Sequence, residues 1–303
     1  MNATLKLVSS MLIFGSMGLF VRAIDLPVSA IAAGRGVIGL AFLLLVTLAL
    51  RQRISVKAIL NNAFLLAASG LALGLDWIFL YEAYKRTTIA VATVSFYTAP
   101  VMLVALSPVF LKERLSPAKI LCILAAVVGM VLVSGLFSGA PSGAGGLSGV
   151  FFGLAAAVCY AAFTLLNKFL KNVTPMEATM AQLFAATMVV GPYAFVTGGF
   201  DTFAANGSTI VPLAVLGLVH TGVAFYLFIA SIPELKAQSI AVFSYIDPVA
   251  AIILSSLLLN ESLGLVGLIG TGLVIGSTLI SELASRSSQP VFAKGAWRRS
   301  PAN

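Results

Sequence analysis

Charge is the scarcest property of this sequence. Asp, Glu, Lys and Arg together make up only 9% of its 303 residues, whereas hydrophobic residues make up 60%. A soluble domain carries about 25% charged residues. The chain therefore has too little polar surface to coat a water-soluble globule, and most of it is expected to contact lipid.

Reactive side chains are scarce as well. The chain has one histidine and two cysteines, and Cys122 and Cys159 lie in apolar segments without disulfide or metal-ligand spacing. We interpret both cysteines as packing residues. The glycine-rich phosphate loop of a Walker motif is also missing from the sequence, which argues against ATP-driven transport by this chain alone. Neither a metal nor another cofactor is expected.

The sequence has instead ten apolar segments of about 20 residues each, the length that a helix needs to cross a bilayer. They lack the alternation of strands, and only a helix satisfies its own backbone over such a run. The first segment has no small-residue cleavage site and is interpreted as a retained span. The sequence predicts an all-α integral membrane protein with ten transmembrane helices, at approximately 5–23, 29–50, 61–83, 89–110, 117–137, 149–169, 177–198, 210–231, 237–258 and 264–282.

The net charge of +8 is explained by orientation in a membrane rather than by nucleic-acid binding. If the N-terminus is cytoplasmic, the lysines and arginines concentrate in the cytoplasmic segments. The four exceptions are Arg22, Arg35, Lys85 and Arg86. Membrane proteins carry such an excess of positive charge in their cytoplasmic loops. We therefore expect both termini in the cytoplasm.

The chain repeats itself at an offset of 148 residues. The stretch 97–101 matches 245–249, with a Tyr-x-x-Pro-Val pattern in both copies. Further pairs at this offset are Gly74 and Gly222, Trp77 and Phe225, Ser107 and Ser255, and Glu113 and Glu261. A single offset that holds over so many positions indicates an internal duplication.

The duplication divides the chain into two five-helix halves. The first covers 1–137 and the second covers 149–283, with an external linker rich in Gly, Ser and Pro at 138–148. Residues 284–303 are interpreted as a disordered, basic cytoplasmic tail. Because five is odd, the second half would enter the membrane from the other side, and inverted repeats of this kind are typical of secondary transporters. Ten helices could enclose a pathway alone, so a monomer would suffice.

These features resemble a known family. The Tyr-x-x-Pro-Val pattern opens a helix in each half, and that helix ends in Leu-Lys-Glu-Arg-Leu at 111–115 or Leu-Asn-Glu-Ser-Leu at 259–263. With the duplicated ten-helix pattern, they make the chain similar to the EamA-type drug/metabolite transporters. The resemblance implies an exporter of small metabolites in the bacterial inner membrane, similar to exporters of aromatic amino acids.

Four ionisable residues would lie within the membrane, namely Arg35, Asp76, His220 and Asp247. A charge at that depth costs roughly 2.5–3.5 kcal/mol on insertion scales, so each needs a reason. Asp76 lies one turn from Ala72, the counterpart of His220 in the repeat, so both groups are expected on equivalent helix faces. They could exchange a proton or bind the charged ends of a zwitterion. Alternatively, His220 holds the bundle together through hydrogen bonds.

The other two ionisable residues each have two interpretations. Asp247 precedes Pro248, which should interrupt the ninth span, so its carboxylate could cap the freed N–H groups or contact a substrate. Arg35 could snorkel outward, pair with Asp25 or Glu82, or bind a substrate carboxylate.

Aromatic residues supply the remaining candidates. Gly70, Gly74, Trp77, Tyr81 and Tyr84 follow one face of the third helix, where the glycines would allow close helix contact. The predicted substrate pathway comprises Trp77, Tyr81, Tyr97, Tyr160, His220, Phe225 and Tyr245. The hydroxyls of Tyr97, Tyr160 and Tyr245 would need hydrogen-bond partners at membrane depth. The alternative for any one of these residues is ordinary packing.

The sequence therefore predicts a secondary transporter that exports small organic metabolites, with amino acids, aromatic or otherwise amphipathic, as the expected substrates. A nucleotide-sugar or organophosphate exchanger is the alternative, but it should place several Lys or Arg residues at the midplane. A membrane-embedded enzyme needs paired aspartates, a Ser–His pair or a metal cluster. None of these occurs at a diagnostic spacing, so the chain is not expected to be an enzyme.

Overall fold

The computed structural model describes residues 1–86, 92, 95–113, 116–133, 147–200 and 207–259, with scattered helical positions between 265 and 280. All the regular elements in these ranges are helical. Most of the predicted linker, Glu261 and the tail at 284–303 lie outside the described residues. The structure thus describes most of the predicted spans.

The first half contains seven described helices. They are α1 (Ala3–Gly15), α2 (Met17–Arg22), α3 (Val28–Ala49), α4 (Val56–Asn61), α5 (Ala63–Arg86), α6 (Ala99–Leu111) and α7 (Pro117–Val133). The second half contains α8 (Leu147–Lys168), α9 (Pro175–Val196), α10 (Gly207–Val215), a π-helical segment (Leu216–Ala224), α11 (Phe225–Ser231), a 3₁₀ turn (Ile232–Glu234), α12 (Ala237–Phe243) and α13 (Ile246–Leu259).

Six helical stretches are long and apolar enough to cross a membrane. They are Ala3–Val21, Val28–Ala49, Ala63–Ala83, Leu147–Lys168, Pro175–Val196 and Thr209–Glu234. Each coincides with a predicted span, which confirms six of the ten. Two shorter apolar helices, Ala99–Leu111 and Pro117–Gly129, fall in the predicted fourth and fifth spans. The described residues therefore show a multi-pass helical membrane protein.

The fourth and ninth spans are interrupted at equivalent places. A turn at 97–98 precedes α6, and a turn at 244–245 precedes α13. Pro100 and Pro248 each lie within the first turn of the helix that follows. Proline lacks a backbone N–H, and the first turn of a helix is where that loss costs nothing. The predicted interruption of both spans is confirmed.

The helices of the two halves pack against one another rather than only within their own half. Helix α5 packs along α8 and α9, and α3 packs along α9 and the π-helical segment. Helix α1 contacts α11 and α13, while α6 contacts α8 and α12. The core of the protein therefore lies between the halves.

Two glycines allow the close contact between α5 and α9. A Cβ atom at Gly70 would lie 2.5 Å from the Cβ of Ala185 and 2.7 Å from the Gln182 carbonyl oxygen. At Gly74 it would lie 3.0 Å from the carbonyl oxygen of Ala186. Small residues let helix backbones approach in this way in membrane proteins. The predicted role of these glycines is confirmed.

Polar side chains hold the ends of α5, α8 and α9 together. The Asn62 Nδ2 donates to the Lys171 carbonyl at 2.8 Å, and the Lys171 N–H donates back to Asn62 Oδ1 at 3.1 Å. Glu177 completes a capping box with Thr174 and also accepts from the Ser55 N–H at 2.6 Å. The loops before α5 and after α8 therefore lie at the same end of the bundle.

Replacing Gly70 with Ala should destabilise the protein. The added methyl has no room against α9, and overpacking of this kind costs about 1–3 kcal/mol. Gly191→Ala is the matched control, because nothing lies within 4 Å of the methyl it would add. Thermal unfolding of the purified protein in detergent should show a lower midpoint for Gly70→Ala alone. Equal midpoints for the two variants would contradict the close packing of α5 on α9.

Candidate functional site

A continuous set of aromatic ring contacts runs through the middle of the bundle. We call it the aromatic chain. Its ring-centroid distances are 5.9 Å for Trp77–Phe225, 6.5 Å for Phe225–Phe163, 6.3 Å for Phe163–Phe228, 6.0 Å for Phe228–Tyr160, 5.8 Å for Tyr160–Phe96, 5.3 Å for Phe96–Tyr97 and 6.4 Å for Tyr97–Tyr245. Phe14 joins it through Phe225 at 5.1 Å. Rings from both halves thus share one surface.

The aromatic chain contains five of the residues that the sequence predicted for a substrate pathway. These are Trp77, Tyr97, Tyr160, Phe225 and Tyr245. It also contains Phe14, Phe96, Phe163 and Phe228, which sequence reasoning missed. Phe163 and Phe228 lie three residues after Tyr160 and Phe225, a spacing that puts each pair on one helix face. This spacing in the sequence could have identified Phe163 and Phe228 as neighbours of the predicted pathway residues.

Tyr81 does not join the ring contacts of the described residues. It is partly buried and packs against the hydrophobic core on α5. The side chain of Tyr84 lies outside the described residues. Helix α5, which is the third predicted span, therefore contributes Trp77 to the aromatic chain rather than a long row of rings.

Tyr97 and Tyr245 meet where the two interrupted spans face each other. The Tyr245 hydroxyl donates to the Tyr97 carbonyl oxygen at 3.0 Å, and Tyr245 is fully buried. The Tyr97 side chain in turn hydrogen-bonds the Asp247 carboxylate. This partner of Asp247 is a side chain of the opposite half. One expectation was instead that the carboxylate would cap its own helix.

Arg35 lies at the other end of the aromatic chain. Only 3% of its surface is exposed, and its Cζ lies 4.0 Å from the centre of the Trp77 ring. Its Nη1 donates to the sulfur of Met17 at 2.9 Å. A guanidinium over the face of a tryptophan is a favourable cation–π contact. The structure therefore places the Arg35 side chain inside the helix bundle.

This position corrects two expectations for Arg35. It does not snorkel outward, and none of the ion pairs shown for the described residues joins it to Asp25 or Glu82. Glu82 instead binds Lys85 at 3.1 Å and Arg86 at 2.9 Å, and it accepts a hydrogen bond from Tyr193. Lys85 and Arg86 lie about one turn after Glu82 on α5, and Tyr193 lies on α9. Arg35 contacts Trp77 instead.

Asp76 is buried next to Trp77 on α5, with 5% of its surface exposed. Its Oδ1 has no hydrogen-bond partner among the residues that the structure describes. The same holds for the Nε of Arg35. Asp76 immediately precedes Trp77 in the sequence, and the Arg35 guanidinium lies over the Trp77 ring. A guanidinium and a carboxyl group therefore adjoin the Trp77 end of the aromatic chain.

His220 lies in the π-helical segment and is 1% exposed. Its Nε2 is 2.9 Å from the Ser16 hydroxyl, and its Nδ1 is 3.3 Å from the Val215 carbonyl oxygen. Its ring contacts Phe20 edge-on at 5.2 Å. No hydrogen bond or ion pair of the described residues connects it to Asp76. Both ring nitrogens are used in holding the π-helical segment to α1 and to its own backbone.

A metal site is not apparent in the described part of the chain. It has no group of three or more His, Cys, Asp or Glu residues that could hold an ion. The groups available are aromatic rings, tyrosine hydroxyls, the guanidinium of Arg35 and the carboxyl groups of Asp76 and Asp247. Such a surface can hold an organic solute, and its aromatic character favours an apolar body with polar ends.

Comparison with known proteins decides the family. The model of the EamA-like transporter family matches residues 1–135 and matches again at 147–283. The chain belongs to this family. It is therefore a membrane transporter of small molecules, and the resemblance predicted from its motifs is confirmed.

Individual relatives carry the same description. The EamA-like chain is 27% identical to the "Uncharacterized transporter YxxF" of Bacillus subtilis (strain 168), over 97% of this chain and 94% of that protein. An "Uncharacterized transporter" of Archaeoglobus fulgidus is 27% identical over 66% of this chain and 69% of that protein. A crystal structure that covers 94% of this chain and 98% of its own has a TM-score of 0.82 at 21% identity, so the two share a fold.

A double-mutant cycle between Ser16 and His220 tests the structural role of the histidine. Ser16→Ala and His220→Ala should each lower the free energy of unfolding, and the double variant should lose less than the sum. Polar contacts between helices of membrane proteins show couplings of about 0.6 kcal/mol in such cycles. The measurement is unfolding by denaturing detergent. Additive losses would show that the 2.9 Å contact does not stabilise the bundle.

Proposed function

We propose that this EamA-like transporter exports small organic metabolites, with aromatic or otherwise amphipathic amino acids as its substrates, across the bacterial plasma membrane. The observation that carries the proposal is the aromatic chain, because its rings come from helices of both halves and five of its nine residues are buried. A secondary transporter places its substrate site at such a junction, near discontinuous helices. The solute would be exposed to each side in turn as the halves move.

Reciprocal packing supports an inverted duplication. At the 148-residue offset, α1 corresponds to α8, α3 to α9, and α6 to α13, while α5 corresponds to the π-helical segment with α11. The contact of α1 with α13 is matched by that of α8 with α6, and α3 with the π-helical segment is matched by α9 with α5. Helices α3 and α9 contact each other. Two like halves related by a pseudo-two-fold axis would pack in this way.

The positions of the exposed basic residues support cytoplasmic termini. Arg51 and Arg53 are exposed in the loop before α4, and Lys171 is exposed in the loop after α8. The hydrogen bonds between Asn62 and Lys171 bring these two loops to one end of the bundle. An accumulation of positive charge at one end favours the cytoplasmic side for that end.

The side chains around the aromatic chain favour amino acids over phosphorylated solutes. A phosphate carries about two negative charges and calls for several cations at its site. Among the described residues, Arg35 is the one cation that contacts a ring of the aromatic chain. The organophosphate alternative is therefore less well supported. The aromatic rings would instead stack against an apolar or aromatic side chain.

Phe225→Leu should reduce transport while the protein stays folded. The substitution keeps an apolar side chain but removes ring contacts with Trp77 and Phe14. The ring of Phe225 would also stack on the solute, and one such contact is worth about 0.5–1.5 kcal/mol, so phenylalanine efflux from reconstituted vesicles should fall by up to about tenfold. Phe64→Leu is the control, because Phe64 is 83% exposed on the same bundle. Equal efflux in both variants would remove the aromatic chain from the pathway.

Cysteine labelling tests the orientation. In a variant in which Cys122 and Cys159 are replaced by Ser, a cysteine at Arg53 or at Lys171 should react only with reagent on the cytoplasmic side. A cysteine at Lys85 should react only from outside, because α5 runs from one end of the bundle to the other. An impermeant maleimide applied to cells and to inverted vesicles gives the readout. Labelling of positions 53 and 171 from opposite sides would overturn the inverted arrangement.

A further inference from the structure

Two of the buried polar atoms without a partner belong to oppositely charged groups. They are the Nε of Arg35 and the Oδ1 of Asp76. The other two such atoms among the described residues belong to Thr164 and Gln182, which are neutral. A buried charge is far more costly to leave unsatisfied than a neutral polar group. The charged pair therefore calls for an explanation that ordinary packing does not supply.

Arg35 and Asp76 both adjoin Trp77 but do not form an ion pair. The ion pairs of the described residues, all with N···O of 4.0 Å or less, do not include one between these two groups. The guanidinium is instead held over the Trp77 ring at 4.0 Å and against the sulfur of Met17. The positive charge is thus kept in place by groups that do not neutralise it.

Both groups lie beside the aromatic chain. Trp77 follows Asp76 in the sequence, lies under Arg35 and contacts Phe225 at 5.9 Å. Phe225 in turn contacts Phe163, which stacks on Phe228 at 6.3 Å. A solute that lies against these rings would have a guanidinium and a carboxylate at one end of its body.

We propose that Arg35 and Asp76 bind the two charged ends of a zwitterion, the carboxylate on Arg35 and the ammonium on Asp76, with the solute's side chain against the aromatic chain. This inference rests on the proposed function and specifies how that site selects its substrate. A zwitterion satisfies both buried charges and adds no net charge to the membrane interior. A simple amine or a simple carboxylate of the same size would leave one of the two groups unpaired.

This arrangement predicts selection by charge rather than by size. A site whose buried polar groups bond a substrate rejects an analogue that lacks one of the bonding groups, because its own group is then left unpaired. Phenylalanine, phenethylamine and 3-phenylpropionate share one aromatic ring and differ in which charges they carry. The wild-type protein should bind phenylalanine at least about tenfold more tightly than either analogue.

The test is equilibrium binding of the three radiolabelled probes to purified full-length protein in detergent. Arg35→Gln should weaken phenylalanine binding at least about tenfold and make phenethylamine the preferred probe, because only the carboxylate partner is lost. Asp76→Asn should weaken phenylalanine binding similarly and favour 3-phenylpropionate. Arg35→Lys keeps the positive charge and should retain the wild-type order of probes. Lys85→Gln removes a positive charge at the half-exposed end of α5 and should change nothing.

The outcomes separate this inference from the proposed function. If the wild type binds phenylalanine but Arg35→Gln and Asp76→Asn weaken all three probes alike, the pair is structural and the inference is wrong, while amino-acid transport stands. If the wild type binds none of the probes and transports no amino acid in vesicles, the proposed function itself is wrong. Thermal unfolding of each variant shows whether it is folded. If Arg35→Gln is not folded, comparing probe binding by Arg35→Lys and Asp76→Asn decides whether the pair selects the solute by charge.

Discussion

The hydrogen bond from Tyr245 to the backbone of Tyr97 meets a requirement that governs the whole structure. Backbone and side-chain polar groups inside a bilayer find no water, so each must be satisfied within the protein. A break in a helix frees backbone groups, and the break at 97–98 is supported by a side chain from the break at 244–245. The second half therefore supplies a hydrogen-bond donor for the interrupted span of the first half, as membrane depth requires.

The same requirement explains most of the other buried polar residues. Gln182 on α9 donates to Ser69 on α5 and to Asn167 on α8, at 2.7 and 3.0 Å. His220 connects the π-helical segment to Ser16 at the end of α1. These contacts tie helices together where lipid offers no competing partner. Arg35 and Asp76 depart from this pattern, because the Nε of the one and the Oδ1 of the other have no hydrogen-bond partner among the described residues.

Sequence reasoning succeeded wherever the physical cause is local. Apolar length predicted the six confirmed spans, proline predicted both interruptions, and the glycine spacing on α5 predicted its close contact with α9. Two expectations for Arg35 were wrong, because they assumed that its side chain would reach the membrane surface or pair with an acidic residue. The side chain is instead buried over Trp77. The contact between Arg35 on α3 and Trp77 on α5 depends on how the two helices pack, and hydropathy does not predict helix packing. Phe14 and Phe96 were missed for the same reason.

The sequence by itself determined that the chain is a helical membrane protein with a duplicated plan, because hydrophobic length and residue identity at one offset are properties of a linear string. It also indicated the family, since the paired motifs lie at fixed positions. Only the tertiary structure decided which aromatic rings touch and that His220 is engaged at both ring nitrogens. It also decided that Arg35 Nε and Asp76 Oδ1 have no hydrogen-bond partner among the described residues. Those outcomes depend on distances between helices far apart in the chain, and such distances arise from packing across the two halves.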